Sequence, residues 1–197
     1  MYKIIAKQQL APSVQLFEIE APFIARKAQP GQFVILRINE EGERIPLTIA
    51  DFNQKTGTIT VIFQEVGAST VELGLLNEGE SLLDLVGPLG KPTHIEKMGT
   101  VICIGGGIGI APIYPIARGM KEAGNEVISI IGARTEEILI YEQEMASVSD
   151  ELIITTDDGS KGHKALVTQP LKELLDSDKN ITSLWRANSC QPKSNYG

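Results

Sequence analysis

Residues 101–117 read VICIGGGIGIAPIYPIA, seventeen consecutive positions without a charge. Such a stretch can serve as a membrane span, a buried core element, or a loop shaped around a ligand. A span needs roughly 20 apolar residues in continuous helix. Gly105, Gly106, Gly107 and Gly109 in the middle, followed by Pro112 and Pro115, argue against that helix, since both residue types weaken a helix interior. As strand, loop and helix the same residues are consistent. Val101 to Ile104 form a buried strand, the glycines turn the backbone sharply, and Pro112 sits near the first helical turn, where its missing N–H costs little. Ala111 opens the expected helix, which runs to Ala123. Backbone N–H groups and the positive helix end then converge on one point with no side chain in the way, the geometry that binds phosphate. The plain alternative is a tight strand-to-helix turn, for which two glycines suffice.

The stretch is not the strict dinucleotide fingerprint. G-x-G-x-x-G counted from Gly105 requires glycine where Ile110 stands, and counted from Gly107 it requires glycine where Pro112 stands. The acidic residue expected about 20 positions further on, which would hold a ribose hydroxyl, is also missing. The next strand runs instead into GART with Arg134, a residue that suits a 2′-phosphate or an adenine face, or else an ion pair with Glu136 or Glu137.

Downstream, apolar strands alternate with helical stretches: EVISIIGA as strand, EEILIYEQEMAS as helix, ELIITT as strand, TQPLKELLDS as helix. This βαβαβα order implies a parallel sheet with helical crossovers. Upstream the period is that of short strands. VQLFEIE alternates, GQFVILRI follows a Pro-Gly turn, and GTITVIFQ places Ile59, Val61 and Phe63 on one face. Turn signals at 39–43, 53–57 and 87–92 separate them, and STVELGLL reads as a helix. A small antiparallel barrel fits this spacing. The expected organisation is a β + α/β chain with a barrel domain over 1–95, a parallel-sheet domain over 96–180, and an atypical tail over 181–197 that reads as loop.

Bulk properties narrow the function classes. Among 197 residues, 25 acidic side chains outnumber 18 basic ones for a formal net charge of −7, so nucleic acid and anionic membranes are poor partners. The two cysteines, Cys103 and Cys190, are too few and too far apart for a metal knuckle or a disulfide framework. The N-terminus lacks the basic start and apolar run of a signal peptide, which makes a cytoplasmic location the simplest expectation. His94 and His163 have no neighbouring pattern for nucleophilic catalysis, and Cys103 reads as a core residue.

GGGIGIAP after a strand, preceded by a barrel that carries RIPLT, resembles the ferredoxin-NADP reductase superfamily. PGQFVILRI, GPLGKP and TDDGSKGHKALVT extend the likeness to the electron-transfer subunits of dihydroorotate dehydrogenase and of NADH-dependent reduced ferredoxin:NADP oxidoreductase. The resemblance implies an FAD barrel followed by an NAD(H) or NADP(H) domain. In RIPLT it assigns Arg44 to the FAD pyrophosphate, and Pro46, Leu47 and Thr48 to the flavin ring, with Thr48 beside the hydride-accepting atom. Here Arg precedes Thr by four positions where the general pattern has three. IFQEVGAST corresponds to a second flavin segment. Ile62, Phe63 and Gln64 would line the ring or ribityl chain, and Gly67, Ser69 and Thr70 would cap the pyrophosphate; read alone, GAST is a helix cap. Asp157, Asp158 and Gly159 follow the third strand of the second domain, where such sheets meet a nucleotide, although Asp-Gly is also ordinary turn chemistry.

The activity implied is transfer of a hydride from reduced nicotinamide to flavin, with electrons passed singly to a larger iron–sulfur flavoprotein subunit, or the reverse. This needs position and charge compensation rather than an acid–base pair. Family members also carry a cysteine-rich segment for a [2Fe-2S] cluster, whose ligands this sequence lacks, so a shortened form is expected. Two further classes are a non-catalytic FAD-binding or assembly subunit with an inert nucleotide domain, and a flavin-free dehydrogenase.

Overall fold

The computed structural model of the chain describes residues 1–177 and 181–186. Seven strands make the first sheet: β1 (Tyr2–Ala11), β2 (Val14–Glu20), β3 (Phe33–Arg37), β4 (Ile45–Asn53), β5 (Thr58–Gln64), β6 (Ser81–Leu82) and β7 (Asp84–Leu89). Two helices belong with it, α1 (Pro22–Ala25) and α2 (Ala68–Leu75). The strand order β6-β1-β2-β5-β4-β3-β7 is antiparallel, and its two edge strands are separated in the chain only by Leu83. The sheet therefore curls until its edges approach, giving a nearly closed barrel. Phe17, Ile19, Val34, Leu36, Ile59, Val61 and Phe63 fill its interior by the alternation of each strand.

The second unit is a parallel sheet in the order β11-β10-β9-β8-β12. Its elements are β8 (Thr100–Gly106), α3 (Ile110–Glu122), β9 (Glu126–Ala133), α4 (Glu142–Ser147), β10 (Glu151–Thr156), β11 (His163–Lys164), α5 (Thr168–Leu175) and β12 (Ile181–Arg186). Near-continuous apolar strands such as EVISIIGA belong in a sheet covered on both faces. One face, with Ile102, Ile104, Ile128 and Ile130, meets Val167, Leu171 and Leu174 around α5. The other, with Val101, Cys103, Val127 and Ile131, meets α3 and α4.

That second core does not stop at the unit's edge. Ala11, Val14, Ala50 and Ile62 from the barrel belong to the same buried cluster as Ile110, Ala111 and Ile113. The two sheets are thus packed together through one apolar seam, along which α3 lies against β4.

The fold corrects two expectations. Residues 136–147 are not one helix: a 3-10 turn covers Glu136–Ile138, Tyr141 has φ of 58°, and only Glu142–Ser147 is α-helical. Ile138, Leu139 and Ile140 pack into the seam beside Leu10 and Ala11, and that burial overrides local helix preference. Nor is 181–186 a loop. It pairs in parallel with β8, Trp185 opposite Cys103, and so satisfies an edge that would otherwise be unpaired. The remainder of that tail, 187–197 with Cys190, lies outside the described residues. In the 87–92 turn, Gly87–Leu89 continue β7.

Candidate functional site

The glycine loop leaves the carboxyl end of β8, and the turns Gly107–Gly109 and Glu136–Ile138, which follow β8 and β9, lie against β5 and β1 of the barrel. A Cβ on Gly105 would stand 2.7 Å from Ile110 Cα, so this glycine is required for the strand to pass close under α3. Gly107 has φ of +53° and starts a single 3-10 turn, Gly107–Gly109, that lies against β5. Gly106 is different: a Cβ there would meet only Gly132 O at 3.9 Å, and one on Gly107 would meet nothing within 4 Å. The fold itself leaves open space in front of the N-terminal end of α3, the arrangement a phosphate fills. Ala111 is buried, and Pro112 is the third helical residue, where its lack of N–H removes no intrahelical bond.

The Asp157–Gly159 loop is built by hydrogen bonds. Asp158 Oδ1 accepts from the Ser160 hydroxyl at 2.7 Å and from its N–H at 2.9 Å, which together hold this carboxyl below the usual range. Thr156 Oγ1 donates to Lys161 C=O at 2.7 Å and accepts from its N–H at 3.0 Å. Asp157 and Asp158 N–H groups donate to Ala133 and Arg134 C=O, and Ser160 Oγ accepts from Glu136 N–H at 2.8 Å. Arg134, Asp157, Asp158 and Gly159 are thereby brought together on one rim. Arg134 is exposed and, among the described residues, forms no ion pair with Glu136 or Glu137. Glu136 is held instead by Lys161 Nζ at 3.3 Å, which also reaches Glu142 at 2.6 Å.

On the barrel side, Arg44 precedes β4 and is 61% exposed, its Nη1 3.5 Å from Asp84. Thr48 pairs with Phe33 across β3 and β4, half-buried, with Pro46 exposed and Leu47 leaning on the barrel core. The neighbouring Glu43 accepts a hydrogen bond from the Ser69 hydroxyl, so the Arg44 stretch lies at the N-terminus of α2. Gly67 has nothing within 4 Å of an added Cβ, leaving a second open cradle at a helix N-terminus. Thr70 Oγ1 accepts from the Val66 and Gly67 N–H groups at 3.0 and 3.1 Å, closing the entry turn of its own helix.

Two expected flavin contacts are corrected. Phe63 is 2% exposed inside the barrel, edge-on to Phe17 with ring centroids 5.1 Å apart, and Ile62 is buried in the seam. β5 runs between two cores, and its alternation delivers one side chain to each; only Gln64, at its end, is exposed.

The residues that join the two units are not among the expected site residues. Arg118 of α3 meets Asp51 of β4 at 2.6 Å, and its guanidinium lies 5.5 Å from the ring centres of both Phe52 and Tyr114. Tyr114 and Tyr141 rings meet edge-on at 5.4 Å; burial, then the Asp51 charge, pushes both hydroxyls up from the ordinary tyrosine value. The available signal was an arginine four residues after Tyr114 that follows the uncharged run IAPIYPIA directly.

A nearly closed barrel joined to a parallel sheet, with a glycine loop turned towards it, defines a ferredoxin reductase-like oxidoreductase module. Residues 103–185 match the oxidoreductase NAD-binding domain family. The chain belongs to the ferredoxin reductase-like family that contains the dihydroorotate dehydrogenase B electron-transfer subunits and their homologues. It is 32% identical over 180 residues to the Enterococcus faecalis electron-transfer subunit of dihydroorotate dehydrogenase B (NAD(+)), covering 89% of this chain and 68% of that one. A Thermotoga maritima homologue of that subunit is 46% identical over 177 residues, 90% of this chain; the chain spans 62% of that relative's length. A solved structure of NADH-dependent reduced ferredoxin-NADP oxidoreductase superposes with a TM-score of 0.86 at 43% identity, covering 93% of this chain and 67% of that one.

Proposed function

We propose that this chain is an electron-transfer flavoprotein subunit in which NAD(H) or NADP(H) and FAD meet at the seam between the two units, electrons continuing to or from a larger iron–sulfur flavoprotein partner. One observation carries this reading. The glycine turn Gly107–Gly109 lies against β5, while α3 behind it packs on β4, the strand that carries Thr48. The open cradle of the second unit and the barrel strand with Thr48 therefore converge on one place. The residues present suit two dinucleotides, since a Cβ at Gly67, Gly106 or Gly107 meets nothing closer than 3.9 Å and the exposed Arg44 supplies positive charge near the first of these. The domain limits that accompany this reading are 1–95 for FAD and, with the expected 96–180 extended by the strand Ile181–Arg186, 96–186 for the nicotinamide nucleotide.

A bound flavin supplies a ring that accepts hydride from reduced nicotinamide and releases electrons one at a time. The chain's own residues bind and orient. Arg44 and the N-terminus of α2 compensate a pyrophosphate charge, and the Thr48 hydroxyl and backbone offer hydrogen bonds to a ring edge. Backbone N–H groups at Gly106 and Gly107 receive the second pyrophosphate, and Arg134 with Asp157–Gly159 borders its adenosine half. Hydride chemistry of that kind would ask the side chains of the site for alignment and not for proton transfer.

The test is an anaerobic NADH titration of the purified chain reconstituted with FAD, read in the visible flavin bands. Stoichiometric bleaching is expected. Bands that persist under excess NADH and NADPH would show a binding subunit without hydride transfer, and failure to retain FAD would remove Arg44–Thr48 from the flavin site.

A further inference from the structure

We propose that Arg118 is a positioning residue: its contact with Asp51 sets how the glycine loop of the second unit stands relative to Thr48 of the first, and so the separation at which the two bound rings meet. This rests on the hydride-transfer reading above. Asp51 lies three residues beyond Thr48 on β4, and Arg118 nine residues beyond Gly109 on α3. With rises of about 3.3 Å per strand residue and 1.5 Å per helical residue, the tie sits roughly 10 Å along one element and 13 Å along the other from the parts it aligns. Each half of the site rides on a continuous element, β4 with one register shift between Ile49 and Asp51, and the two elements are joined at this point.

The rest of the seam does not provide the same constraint. Ala11, Val14, Ala50 and Ile62 against Ile110, Ala111 and Ile113 are held by apolar burial, which favours contact but is non-directional. Asp51–Arg118 is the one ion pair among the described residues that links the two units. Its geometry is specific. The guanidinium meets Asp51 at 2.6 Å while lying 5.5 Å from both the Phe52 and Tyr114 ring centres, and the pair is only 25% and 30% exposed. Glu122, one turn on, approaches Nε at 4.0 Å. Tyr114 passes the constraint to Tyr141, whose ring it meets edge-on and whose left-handed backbone marks the turn into α4. A planar fork that stacks and pairs at once is a task for arginine and not lysine.

The experiment compares the full FAD-loaded chain with Arg118→Met, Arg118→Lys and the near-isosteric Asp51→Asn. Stopped-flow reduction by NADH is expected to slow about tenfold or more in Arg118→Met, with Arg118→Lys between it and the parent, since sub-ångström misplacement of reacting rings is costly. The NADH dissociation constant is expected to stay within about twofold, separating alignment from binding. Reduction at the parental rate, or a loss matched by weaker NADH binding, would overturn the proposal. Amide hydrogen exchange is read on the same proteins without nucleotide. Faster exchange in β4 and α3 in both Arg118→Met and Asp51→Asn, with unchanged exchange in β9 and β10, supports the tie; unchanged exchange in β4 and α3 overturns it. If the parent chain itself is not reduced by NADH, the hydride-transfer reading fails while exchange still decides the tie.

Discussion

Asn125 Oδ1 accepts hydrogen bonds from the backbone N–H groups of Met98, at 2.6 Å, and Gly99, at 3.0 Å. Its Nδ2 donates to Glu96 and Met120 C=O, both at 2.9 Å, and the side chain is 4% exposed. One buried amide thus ties the connection between the two sheets to the end of α3. Replacing it removes four hydrogen bonds at once and leaves the half-buried Met98 N–H without this partner, while Met120 C=O keeps the backbone N–H of residue 125. Asn125→Ala is expected to lower unfolding stability by roughly 2–4 kcal/mol, measured in urea, with flavin-site residues untouched. A loss below about 0.5 kcal/mol would show that the connection holds without the amide.

The glycines of the loop separate into one that close packing requires and others that face open space. Gly105→Ala is expected to destabilise the fold, because its Cβ would stand 2.7 Å from Ile110 Cα. Gly106→Ala, whose Cβ meets nothing closer than 3.9 Å, is expected to melt like the parent yet bind NADH at least about tenfold more weakly. Calorimetry and NADH titration of both variants check the contrast; equal NADH affinity in the Gly106 variant would place the nucleotide elsewhere.

Asp158 gives the loop after β10 a pH dependence. Its carboxyl is held below the usual value by the Ser160 hydroxyl first and the Ser160 N–H second. A depressed folded-state value means the stabilisation is present above the ordinary aspartate value, about 4, and is lost as pH falls through the lower folded value. Exchange protection of the Ser160 amide is therefore expected to persist at neutral pH and to decline only on acidification below that range. In Asp158→Asn the protection should be weaker at neutral pH and flat through the acid range; an unchanged acid titration in the variant would assign it to another group.

Cys103 is fully buried in β8, and burial pushes its thiol up to about 12. In a Cys190→Ser background, a thiol reagent at pH 8 is expected to leave the folded chain unmodified and to react with one equivalent once urea unfolds it, since the thiolate is the reactive form. Rapid labelling of the folded protein would mean that β8 opens readily.

Much of this architecture was legible in the chain. The strands Val14–Glu20 and Thr58–Gln64 coincide with alternating apolar runs, and the change of period after Gly99 separates barrel from parallel sheet, because a strand's burial pattern is written every second residue. The glycine loop was legible as well, since few side chains allow a strand to turn that tightly under a helix. Other features had no local signature. Residues 136–141 leave the α-helix because Ile138, Leu139 and Ile140 join the buried seam beside β1, and Ile181–Arg186 are strand because β8 has an edge to pair. Phe63 was assigned to a ligand by its place in a motif, yet a two-residue period cannot say which of two cores a side chain enters.

By itself, then, the sequence determined most of the elements, their order and the glycine turn, all of which depend on neighbours within a few positions. Tertiary structure alone decided that Asp51 meets Arg118 across 67 positions, that Asn125 ties down 96–99, and that the Gly107–Gly109 turn comes to rest against β5. Those contacts exist only once two apolar surfaces have closed on each other, and the ion pair and hydrogen bonds then select one orientation among the many that burial alone would accept.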